Sequence, residues 1–125
     1  MTKPTKDLTL EEMTEHLYGR AEEIFLLCAL ITRRGLAHAF CELAGHVGTL
    51  RSRVLPVDTE YQEQHSHLAV AELHASLVMD DGFSDRYLIE NFQQQMSEMD
   101  TFVNYLDFLI ERNTPVTITS QEHAA

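Results

Sequence analysis

Seven apolar side chains, Ile89, Phe92, Met96, Met99, Val103, Leu106 and Ile110, recur at alternating spacings of three and four residues. A helix gathers such a set onto one stripe, because its 3.6-residue turn brings i, i+3, i+4 and i+7 to the same side. Leu88, Phe102 and Leu109 widen the stripe into a full core face, with Gln95 interrupting that flank. Ser84 stands where an N-cap belongs, and Asn113 and Pro115 stand where a helix must end. The segment therefore commits the chain to one long amphipathic helix with an apolar seam that another surface has to cover.

The same reading predicts three further helices. Thr9-x-x-Glu12 is a capping box, Leu8 and Met13 form a hydrophobic staple across it, and Leu10, Met13, Leu17, Ala21, Ile24, Cys28 and Ile31 repeat at helical spacing. This predicts a helix over 10–34, stopped by Gly35. Leu36, Phe40, Leu43, Val47, Leu50 and Val54 predict a second helix over 36–54, ended by Pro56, with Gly45 and Gly48 marking a kink or a close approach. Thr59-x-x-Gln62 resembles another capping box and predicts a third helix reaching Asp80, closed by Gly82. With 125 residues the expectation is one all-α domain, an antiparallel four-helix bundle with a long C-terminal helix and tails at 1–8 and 113–125.

The longest apolar run, residues 24–31, is far below the ~20 residues a membrane span needs. The opening residues carry no apolar signal core, so a soluble, cytoplasmic protein is expected. Cys28 and Cys41 sit in apolar stretches outside any metal-finger spacing and read as buried free thiols. The 24–31 run is apolar around most of its circumference, which predicts a homodimer with Ile24, Leu27, Leu30 and Met99 at its interface.

Charge gives the functional expectation. The net charge is −11, and residues 58–125 hold thirteen acids against Arg86 and Arg112, whereas residues 1–57 balance seven against seven. So acidic a chain is a poor reader of nucleic acid and of anionic membranes. A field of one sign steers a partner of the opposite sign. The expectation is a non-enzymatic binding protein, active without a cofactor, that docks on a basic nucleic-acid-binding or nuclease-type protein and blocks or regulates it. Phage and mobile-element inhibitors, DNA mimics and immunity proteins work on that logic. The expected contacts are Asp80, Asp81, Asp85, Glu90, Glu98, Asp100, Asp107 and Glu111.

An alternative comes from Glu-x-x-x-His pairs, which a helix would set on one face. If the second and third predicted helices met, Glu42, His46, Glu63 and His67 would converge on Zn, Fe or Mn, as facing helices of bundles do.

Overall fold

The computed structural model describes residues 7–61, 68–79 and 84–119. The chain runs α1 (Leu10–Arg33), β1 (His38–Ala44), β2 (Thr49–Leu55), β3 (Ala71–Ser76) and α2 (Asp85–Arg112). The three strands form one antiparallel sheet in the order β1-β2-β3. Both helices pack against the same side of it, α1 over β1 and α2 over β3. The fold is α+β, which overturns the expected all-α four-helix bundle.

The first and last helices form where the sequence places them. Thr9 Oγ1 accepts from the Glu12 amide at 3.1 Å, and Glu12 Oε1 accepts from the Thr9 amide at 3.2 Å. Met13, Leu17, Ala21, Ile24, Cys28 and Ile31 are all buried. Ser84 caps α2 through the Tyr87 amide, and Asn113 closes it in the left-handed region at φ 52°. Full burial of side chains such as Leu17, Ile24, Met99 and Leu106 contributes about 1.5–3 kcal/mol each.

Residues 36–54, expected as a second helix, are instead the β1–β2 hairpin. Of the six apolar residues that set the helical period there, Phe40, Leu43 and Val47 are exposed. The period that wins is two: Leu50, Ser52 and Val54 face the helices, while Arg51 and Arg53 between them face away. Gly45 and Gly48 make the turn rather than a kink. Gly48 takes φ +63°, and a Cβ there would run into Val78. Residues 59–80, expected as a third helix, supply β3, where Leu73 and Ala75 turn inward and Glu72 and His74 outward. The hydroxyl of Thr59 donates to the Pro56 carbonyl at 2.7 Å, forming a turn in place of a cap; Gln62 lies outside the described residues.

The expected tail beyond residue 112 is pinned at Val116. This residue is buried, its amide donates to the Leu36 carbonyl at 2.8 Å, and its carbonyl accepts from the Val57 amide at 2.9 Å.

Candidate partner-docking surface

The two helices run parallel, not antiparallel as a bundle would require. His16 meets Phe92 with ring centroids 6.3 Å apart, and further along both helices, about one turn in α1 and two in α2, Arg20 Nη2 lies 2.6 Å from Asp100 Oδ1. Three strands between them, an odd number, bring the chain back in the original direction. That both helices lie side by side on the sheet has an electrostatic consequence. One layer now holds both helices, with eleven acids against four arginines, whereas the strands hold Glu42 and Glu72 against Arg51 and Arg53. The front part of the chain is neutral only in sum: an acidic α1 is offset by basic residues elsewhere.

Asp80 and Asp81 lie outside the described residues. Asp85 is exposed in the first turn of α2, where the helix dipole favours it. Asp100, Asp107 and Glu111 fall within ~40° of one another at ~100° per residue. Asp107 and Glu111 are exposed, while Asp100 is half-buried against Arg20. The same guanidinium bonds Glu23 at 2.6 Å; that bond, with Asp100's charge added and burial opposing, raises its pKa further. Glu90 is bonded by Arg86 at 3.0 Å on the outer side. Glu98 stands on the opposite flank of α2 from Asp100 and accepts from Gln94 Nε2 at 2.8 Å. The six described acids therefore do not form a single patch: Asp100 lies against Arg20 of α1, and Glu98 looks toward β3.

That second flank borders a groove of about 570 Å³ between β3 and α2, lined by Ala71, Glu72, Leu73 and His74 and by Ser97, Glu98, Thr101, Phe102 and Tyr105. Its floor is apolar and its rim carries Glu72 and Glu98. Burial raises the Tyr105 phenol above its ordinary pKa against the pull of Arg112, so it stays a neutral donor. Sequence reasoning missed this groove. The alternation of Leu73 and Ala75 with Glu72 and His74 was the available signal.

Of the expected dimer residues, Ile24 and Met99 are fully buried in the chain's own core and offer a second copy no surface. Leu27 and Leu30 are both half-buried, next to Leu26, which is 72 % exposed. The metal alternative loses its premise. Glu42 lies on β1 and His46 in the following turn, so the spacing of four no longer aligns them. Glu63 and His67 lie outside the described residues, among which no three His, Cys, Asp or Glu side chains group to hold an ion.

Two further clusters were invisible in sequence. Cys28 and Cys41 come into hydrogen-bonding contact beside Ser52, whose Oγ lies 3.5 Å from Cys28 Sγ and donates to the Phe40 carbonyl at 2.8 Å. The Cys41 and Ser52 bonds lower the Cys28 thiol to about 7 against the effect of burial. Its partner moves up because a bonded pair resists a second ionisation. Cys28 is only 4 % exposed, so the lowered thiol is screened from solvent. On the sheet face away from the helices, Arg53 lies over the Phe40 ring at 4.9 Å, and His38 Nδ1 is 2.7 Å from the Tyr61 hydroxyl.

No protein family, curated protein or solved structure matches this chain. Among the described residues, no helix is long and apolar enough to cross a membrane.

Proposed function

We propose that the protein is a non-enzymatic docking module for a basic protein, of the nucleic-acid-binding or nuclease type, whose cationic surface it occupies and so blocks or regulates. The observation that carries this reading is the charge of the helical layer, where packing both helices side by side on the sheet concentrates eleven acids against four arginines. Arg20 and Arg86 together engage Glu23, Asp100 and Glu90, and Asp107 and Glu111 project outward from the same layer. A layer of one sign attracts a cationic partner over about a Debye length, ~8–10 Å at moderate salt, and accelerates encounter. Exposed Leu26 and Phe108 on the same helices add apolar contact for whatever docks there. In this reading the protein works in the cytoplasm, where thiols such as Cys28 and Cys41 stay reduced.

The experiment is an untagged capture from the native host at low and high salt, repeated with an Asp107→Lys/Glu111→Lys variant. Basic nucleic-acid-binding proteins retained at low salt, released by salt, released by competing DNA and lost with the variant support the reading. Capture indifferent to salt and to charge reversal overturns it.

A further inference from the structure

We propose that the free edge of β3, with the groove between it and α2, receives an extended basic segment of a partner protein as a fourth strand. The inference rests on the docking function above and adds to it a second contact for the partner, on the other flank of α2 from Asp107 and Glu111. In the order β1-β2-β3, no described strand lies beyond β3. The Leu77 amide donates to the Gly48 carbonyl at 2.8 Å, which sets the phase of the ladder. By the period of two, Leu73 and Ala75 spend their backbone groups on β2, and Glu72, His74 and Ser76 direct theirs outward.

One outward amide shows what that edge accepts. The Ser76 N–H donates to Gln95 Oε1 at 3.0 Å, so a side-chain amide from α2 already stands in for a strand carbonyl there. Residues 71–76 contain none of the lysines or prolines that protect edge strands. A segment laid along Glu72 and His74 would alternate its side chains. One set would enter the groove over Leu73, Phe102 and Tyr105 toward Glu98, and the other would lie beside Glu72 on the open face.

Charge selects both the edge and the occupant. The groove beside the opposite edge strand β1, about 410 Å³, is lined by Arg33 and no acid. The β3 groove carries Glu72 and Glu98. A second copy pairing edge to edge would bring those acids to one seam, acid near acid, which a sheet disfavours. A cationic strand with apolar alternate residues meets complementary groups on both faces, the strand-addition mode of recognition.

The test uses the full chain and a synthetic peptide of about eight residues alternating lysine and valine, long enough for a strand. Binding is read by fluorescence anisotropy and by amide-exchange protection at Glu72 and His74. The expected result is salt-sensitive binding that protects both amides and is abolished by N-methylating the peptide backbone. Glu98→Lys should weaken it about tenfold or more, while Glu90→Lys, the same charge change outside the groove, has a smaller effect. His74→Pro, which removes one outward donor at an edge position that tolerates proline, should also weaken it, with circular dichroism confirming the fold. Equal effects of Glu98→Lys and Glu90→Lys, or binding that survives N-methylation, overturn the strand-addition proposal and leave the acidic docking surface standing. No binding of this peptide by a chain that still captures basic proteins does the same. Failure of every cationic probe overturns both readings. A stable dimer broken by His74→Pro shows a second copy on this edge and overturns the proposal.

Discussion

The helical layer and the sheet contribute differently to the same core. The helices bury one side and turn a strongly anionic side to solvent, while the sheet is close to neutral and, among the described residues, has no element packed over its other face. On that face Phe40 is 40 % exposed, though Arg53 and Tyr61 lie against its ring. In the interior, Leu106 and Ile24 are fully buried between the layers. Stability therefore sits between the layers rather than on the outer surfaces.

The sharpest way to break this division is a pair of truncations. Leu106→Ala should cost about 2–5 kcal/mol in urea unfolding, and Phe40→Ala less than ~1 kcal/mol. Equal costs would mean that the open face is part of the core. Gly48→Ala should cost about 1–3 kcal/mol, because it combines a left-handed backbone with a clash at Val78. The sheet's dependence on its turn would be refuted by a wild-type midpoint. Thr9→Ala removes the α1 cap and should cost about 0.5–2 kcal/mol, checked by the same unfolding curve. The smallest effect belongs to Arg20→Ala. Its ion pairs are about one-third to one-half exposed, so the loss should stay under ~1 kcal/mol. The variant should nonetheless regain melting temperature on adding salt more than wild type does, as Glu23 and Asp100 both lose their cation. A salt response identical to wild type would show that Arg20 does not moderate the layer's repulsion.

The docking proposal rests on different ground from the expectation drawn from the sequence. Counting along the chain put the whole charge excess in the second half. Packing redistributes it by layer, because α1 brings five acids beside α2. Of the contacts named from sequence, Glu98 gains significance from its place on the β3 groove, and Asp100 loses it to Arg20. Neither fate could be read from spacing, since each depends on which element lies opposite.

The sequence by itself determined α1 and α2, their caps and their buried faces. A 3.6-residue period sustained over 24 and 28 residues, with its own start and stop signals, is local information repeated many times. It did not determine the fate of residues 36–79. Strands of six or seven residues are too short to separate one period from another, and apolar residues there fit a helix as well as a strand. The tertiary structure decided between them. Two parallel helices need a broad surface beneath them, and a twisted hairpin extended by one strand covers both apolar stripes at once. The same packing created the acidic layer, the groove beside β3 and the contact between Cys28 and Cys41, which are properties of neighbours in space.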